Sequence, residues 1–184
     1  MAQKSTFIVV RHGESDANQR GIISDKSVDH ALTERGIRQA QSTAELLSGD
    51  HIDLIISSTR QRARHTAEAI NLLHNVSMIF TDELIERDYG IFSGALKSEA
   101  NRIMQSKGFG WLEIPESETP KQLDARVKGV VKRATQEHPG KRILISTHED
   151  IIRSFFRVLD GKTELETASI EIENSKPYTF DLAL

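Results

Sequence analysis

The chain has 184 residues, with 24 Lys+Arg against 27 Asp+Glu and a net charge of −3 with histidine neutral. That is the size of one ordinary domain, without the general basic face that nucleic-acid binding wants. Its apolar runs are short, Phe7 to Val10 being typical, far below the ~20 residues of a membrane-spanning helix, and the absence of cysteine excludes disulfides, zinc–thiolate and iron–sulfur centres and a thiol nucleophile.

In chain order, Ser5 to Val10 is a β-branched and aromatic run that ends at Arg11-His12-Gly13 and reads as a buried strand feeding a loop. Only four apolar residues, Phe7 to Val10, stand between the polar start and Arg11, too few for the ~7–15 of a signal peptide, so the expected location is cytoplasmic. Thr33 is placed to cap a helix with Ile37, Ala40, Ala44 and Leu47 at helical spacing, ending near Gly49. Ile52 to Ser57 reads as a second strand. Ser58 and Gln61 have capping-box spacing ahead of a helix that starts just before Arg62 and carries Ala63, Ala67, Ile70 and Leu73 on one face.

Val76 to Phe80 reads as a third strand, and Asp82 to Gly94 as a glycine-punctuated loop. The one linker-like stretch is Lys107 to Pro120. Thr119, Pro120 and Gln122 are cap, first-turn proline and box partner of a helix with Leu123, Val127, Val130, Val131 and Ala134 inward, stopped by His138-Pro139-Gly140. Arg142 to Ser146 is a fourth strand. Thr147 with Asp150 is read as capping a helix with Ile151, Ile152, Phe155, Phe156 and Leu159, closed by Asp160-Gly161. Ala168 to Glu173 alternates like a strand, and Tyr178 to Leu182 is another short one.

This alternation predicts one domain over residues 1–184, a three-layer α/β/α sandwich with a mostly parallel central sheet and a short insertion at about 95–118. Ligands of such sheets sit outside the carboxyl ends of the strands, where Arg11, His12, Arg62 and His148 would all be delivered. Two guanidinium groups offer permanent, planar, bidentate donors to phosphate oxygens, and a helix N-terminus adds oriented N–H groups. An imidazole among them is a nucleophile for phosphorus. The cations are already in place, so the chemistry requires neither a metal nor another cofactor.

Singly, these residues have bland readings: a lone histidine at a strand end is usually structural or solvated, and a lone helix arginine is usually a surface charge. Their order singles them out. Arg11-His12-Gly13-Glu14-Ser15 after a buried strand, with Asn18 following, resembles the opening signature of the histidine phosphatase superfamily, branch 1, the phosphoglycerate mutase-like phosphatases and mutases. Leu32-Thr33-Glu34-Arg35-Gly36 is similar to the family's segment before its first long helix. Ser57-Ser58 with Arg62-Ala63 and Thr66-Ala67 is similar to its second arginine element. Leu84-Ile85-Glu86-Arg87-Asp88-Tyr89-Gly90 resembles its acid loop, Pro115-Glu116-Ser117-Glu118 with Arg126-Val127 resembles the stretch leading into its next helix, and Ser146-Thr147-His148 resembles its second histidine motif.

The resemblance implies a phosphoglycerate mutase-like fold and a division of labour. His12 attacks phosphorus and becomes phosphohistidine, Arg11 and Arg62 clamp the transferring group, His148 hydrogen-bonds its oxygens, Glu86 protonates the leaving oxygen, and Asn18 and Ser15 match positions that line the phosphate pocket in some members. It implies a phosphomonoester hydrolase that needs no metal, with a phosphoglycerate-type mutase or a non-catalytic phosphate-binding regulatory member as the alternatives. The insertion holds only Lys97, Arg102 and Lys107 as cations, with no arginine pair, and the chain stops at Leu184 soon after its last strand; both features favour hydrolysis over isomerisation.

One departure is Glu149, where most members carry glycine or another small residue after the second histidine. It sits at an anion-binding mouth or merely suits a helix dipole. The expected partner is a small phosphorylated metabolite or a phosphoprotein, with neither nucleic acid nor membrane. Specificity would lie in the Gly21 to Ala31 loop and the Ala95 to Glu118 insertion. Trp111, Phe92 and Phe109 there either line the mouth or cover the core beneath.

Overall fold

The computed structural model describes residues 4–24 and 28–183, so the Gly21 to Ala31 loop lies partly outside the described residues. Five strands, β1 (Lys4–Arg11), β2 (Leu54–Ser58), β3 (Met78–Thr81), β4 (Arg142–Thr147) and β5 (Pro177–Ala183), form one sheet in the order β3-β2-β4-β1-β5. All neighbours are parallel except β5, which runs antiparallel to β1 at the edge. The side-chain alternation of β1 explains the two helical layers. Ile8 and Val10 pack with Ala44 and Leu47 of α2 (Glu34–Leu47) and Ala67 and Ile70 of α3 (Gln61–His74). Phe7 and Val9 pack on the opposite face with Leu123 and Val127 of α5 (Pro120–Glu137) and Ile151 and Phe155 of α6 (Glu149–Asp160).

Several local expectations are corrected by tertiary contacts. Two helices had no periodic signal: α1 (Asp16–Arg20), five residues long, and α4 (Lys97–Lys107), which buries only Ala100 and Met104. The insertion is thus a helix over its own cluster of Ile23, Phe92, Ala100, Met104 and Ile114. The alternating Ala168 to Glu173 segment is not a strand; a short α7 (Glu164–Ala168) precedes it, held by Arg153 and Arg157 of α6, which donate to Thr167. Leu73 is about half exposed, as is Ile37, because glycine and alanine positions take the inward faces. Among the described residues no helix is long and apolar enough to cross a membrane.

Two caps also come from elsewhere. Thr147 is the last residue of β4, and its hydroxyl donates to the Leu84 carbonyl instead of capping α6. Ser58 does not box with Gln61 either; the Gln61 N–H donates to the Asp29 carboxylate.

The loop after β1 is set by a backbone-to-backbone approach. A methyl group on Gly36 would run into the Glu14 carbonyl, and one on Gly13 into the Gly36 carbonyl. Gly36→Ala is therefore expected to push α2 off the His12 loop and destabilise the protein by about 1–3 kcal/mol, lowering the thermal midpoint by roughly 2–4 °C per kcal/mol at this chain length. A calorimetric scan that leaves the midpoint in place would show that the two backbones do not need this contact.

Candidate active site

Strand register assembles the site. Arg11 pairs with Thr147 across β1 and β4, and Ser57 with Ser146 across β2 and β4, so His12, His148 and Ser58 stand together at the carboxyl ends of three adjacent strands. The His12 main chain is held from both sides: its N–H donates to Thr147 O at 2.9 Å, and its carbonyl accepts from Asn174 Nδ2 at 2.8 Å.

The His12 ring has one usable tautomer. Its Nδ1 lies 2.7 Å from the Gly13 carbonyl, which can only accept, so Nδ1 carries the hydrogen and Nε2 keeps its lone pair. Arg62 Nε donates to that lone pair at 3.1 Å. Burial, reinforced by Arg62 and Arg11, holds His12 well below the usual histidine pKa. The ring is therefore neutral at pH 7.

Arg62 projects from the first turn of α3 and is 1% exposed, with Nη1 unpartnered among the described residues. A buried guanidinium without a carboxylate is costly, and a bound anion offsets that cost. Arg11 gives Nη1 to the Ile172 carbonyl and places Nη2 3.0 Å from the Glu149 carboxylate, leaving a buried Nε without a partner. His148 is fully buried; its ring meets that of His12 edge-on, centroids 5.1 Å apart. Its Nε2 lies 2.9 Å from Ser58 Oγ, and its Nδ1 has no partner. Burial, then Arg62, lowers its pKa well below the usual value. Three buried nitrogens, on Arg11, Arg62 and His148, are thus without a partner among the described residues.

The Glu86 carboxylate, from the loop after β3, caps the first turn of α6, the role expected for Thr147. Its Oε2 accepts from Glu149 N at 3.0 Å, and its Oε1 from Asp150 N at 3.2 Å and Arg87 N at 2.9 Å. Burial, followed by the Asp150 carboxylate, outweighs those amides and Arg62 and raises its pKa to about 7.

A cavity of about 780 Å³, far larger than a phosphate alone, is lined at this end by Arg11, His12, Asn18, Arg62 and Glu86. His148 lies behind His12 and is not part of the cavity wall. Ser15 is not part of it either: its hydroxyl accepts from Asn18 N and donates to Asn18 Oδ1, capping α1. Of that pair only Asn18 faces the cavity. The cavity is also lined by Ile22, Tyr89, Lys97, Trp111, Leu112, Arg153, Arg157, Glu164 and Glu171. Trp111 therefore lines the cavity, whereas Phe92 and Phe109 stack on each other at 6.4 Å within the cluster under the insertion.

Glu149 faces the cavity as an ion-pair partner of both Arg11 and Arg153, at 3.0 and 2.6 Å. Burial pushes its pKa up, but Arg11 and Arg153 outweigh that and hold it below the usual value. Other functional neighbours had weaker signals in the sequence. Arg87, 3% exposed, ties the acid loop to the insertion through Glu118 O, Trp111 O and Ser117 Oγ, and its adjacency to Glu86 was the available clue. Asn174, which supports His12 from 162 residues away, had none.

Residues 7–182 match the histidine phosphatase superfamily (branch 1). The chain is 32% identical over 161 residues to phosphoserine phosphatase 1 of Hydrogenobacter thermophilus, covering 84% of this chain and 76% of that one. It is 33% identical over 177 residues to a 2,3-bisphosphoglycerate-dependent phosphoglycerate mutase of Thermoplasma acidophilum, covering 96% and 87%. Its fold superposes on the phosphoglycerate mutase of Bacillus anthracis with a TM-score of 0.86 at 19% identity, over 99% of this chain and 89% of that one.

Proposed function

The chain belongs to branch 1 of the histidine phosphatase superfamily, and from that premise we propose that it hydrolyses phosphomonoesters through a phosphohistidine on His12, without a metal ion. The observation that carries this reading is the His12 lone pair facing Arg62 in a cavity that Arg11 also lines, with an unpartnered nitrogen on each arginine, donors matched to phosphoryl oxygens. When a phosphate draws the Arg62 guanidinium onto its oxygens, the same movement uncovers Nε2, so substrate binding and activation of the nucleophile are one event. Asn18 adds a neutral donor from the cavity wall, and Ser15 acts through it as its cap.

The steps balance without a co-reactant. The Nε2 lone pair forms the N–P bond as the P–O ester bond breaks, and the electron pair leaves on the ester oxygen, which takes the Glu86 proton. Glu86, now a carboxylate, draws a proton from water, whose oxygen attacks phosphorus as the N–P bond returns its electrons to Nε2. Phosphate leaves and both residues are restored. Asn18, Arg11 and Arg62 stabilise charge that grows on the equatorial oxygens, which is where such sites gain most of their rate, and His148 packs edge-on against the His12 ring.

Hydrolysis is favoured over isomerisation because of the insertion. Of its three cations only Lys97 lines the cavity, while Arg102 is exposed and pairs with Glu99. A mutase must hold its dephosphorylated intermediate against water, and the insertion supplies one cation, Lys97, for that. A panel of sugar, nucleotide, amino-acid and aryl phosphates assayed in EDTA is expected to give phosphate release from at least one ester, with little 2-phosphoglycerate formed from 3-phosphoglycerate and catalytic 2,3-bisphosphoglycerate. Isomerisation outpacing phosphate release would assign the mutase reading instead, and no turnover on any ester the regulatory one.

A further inference from the structure

We infer that Glu149 is a specificity-determining residue: its carboxylate fills the place beside the phosphate clamp where a second anionic group of a substrate would bind, so the site takes esters uncharged at that position. This rests on the reading of Arg11 and Arg62 as the phosphate clamp. The Glu149 carboxylate spans two guanidinium groups of the cavity wall, Oε2 lying 3.0 Å from Arg11 Nη2 and Oε1 2.6 Å from Arg153 Nη1. Arg11 is shared. Its Nε has no partner among the described residues and is free for a phosphoryl oxygen, while its Nη2 is held by Glu149. Glu149 thus stands one guanidinium away from the phosphate position.

A substrate carboxylate needs a cation with donors to spare, and the other arginines of the cavity wall are engaged. Arg153 gives Nε to the Thr167 carbonyl, Nη2 to the Ile170 carbonyl and Nη1 to Glu149 and Asp150. Arg157 gives Nε and Nη2 to Asp124 and Nη1 to Thr167 Oγ1, and Arg87 is bonded at all three nitrogens to the insertion. Arg35 and Lys97 also line the cavity, but both are exposed, where water weakens their hold on an anion. An incoming carboxylate would therefore have to displace Glu149 from two cations. Glu149 is only 23% exposed, so the two anions would repel with limited screening. A charge built against the wrong ligand is a common source of specificity.

The test compares two esters that differ in one group: glycerol 3-phosphate, and 3-phosphoglycerate, which has a carboxylate in place of the terminal hydroxymethyl. Both are titrated by calorimetry into His12→Ala protein, which does not turn them over, with Glu149 intact and with Glu149→Gln. With Glu149 intact, glycerol 3-phosphate should bind about tenfold more tightly, although a cationic pocket lacking that carboxylate would favour the more highly charged ester. In Glu149→Gln, which keeps the size and one acceptor oxygen, the preference should fall by about tenfold. If Glu149 only fixed Arg11 or suited the α6 dipole, both affinities would change together and their ratio would stay. An unchanged ratio overturns the inference. So does 3-phosphoglycerate binding as tightly as glycerol 3-phosphate beside an intact Glu149, or binding of neither ester. Should the Glu149→Gln protein not fold, the comparison with Glu149 intact decides alone. Binding needs no turnover, so a failure of the hydrolase reading appears as absent phosphate release from the ester panel and not here.

Discussion

His12→Ala is expected to abolish phosphatase activity, by about four orders of magnitude or more, together with any acid-labile phosphate trapped on the protein. Among the described residues no other histidine lines the cavity. His148 is fully buried, does not line the cavity and is bonded through Nε2 to Ser58. The main-chain bonds of residue 12, to Thr147 and Asn174, do not involve the ring, so the variant should fold and circular dichroism should match the parent. Removing the imidazole leaves Arg62 Nε as well as Nη1 free of a protein acceptor. The variant should therefore still bind inorganic phosphate, which calorimetry can read. Radiolabelled phosphate that stays covalently attached to a well-folded His12→Ala protein would remove His12 as the nucleophile.

Glu86→Gln should cost about 10²–10³ in rate on alkyl phosphates and far less on 4-nitrophenyl phosphate, whose leaving oxygen needs no proton. The parent's pH profile follows from two directions. His12 is depressed well below the usual histidine value, so its neutral, attacking form is present through the mildly acidic range, and the rising limb lies below pH 6.5. Glu86 must be protonated to give its proton, so the rate on poor leaving groups falls as pH rises through about 7. The profile is a bell with its optimum on the acid side of neutrality. In Glu86→Gln the alkaline limb should vanish for alkyl phosphates along with the rate. Equal losses on both substrates, with the limb intact, would mean that Glu86 only shapes the pocket.

These effects depend on features that were unequally legible in the sequence. The motif order around His12, Arg62, Glu86 and His148 identified the family, because such motifs are local: a residue at a strand end or in a first helical turn is placed by its own neighbours. The same locality misled at the caps. Thr147 and Ser58 have capping chemistry at capping spacing, yet Thr147 bonds to Leu84 and Ser58 to His148, since a hydroxyl at a strand end takes the acceptor that the fold brings to it. Ser15, matched to a phosphate-lining position, caps α1 away from the cavity.

By itself the sequence determined the main strands and long helices, a mostly parallel sheet and the set of chemically capable side chains, because periodicity and short motifs depend on residues a few positions apart. The tertiary structure alone decided how those side chains behave. The depressed His12, the unpartnered nitrogens of Arg11, Arg62 and His148, and the Glu86 carboxyl raised to about 7 all arise from burial and from charges held on other elements. Glu149 is the plainest case: its place after His148 was visible in the sequence, but its pairing with Arg11 and Arg153 exists only because the end of β1 and the start of α6 meet at one edge of the sheet. Electrostatics at a site depend on distances through space, which a linear spacing does not contain.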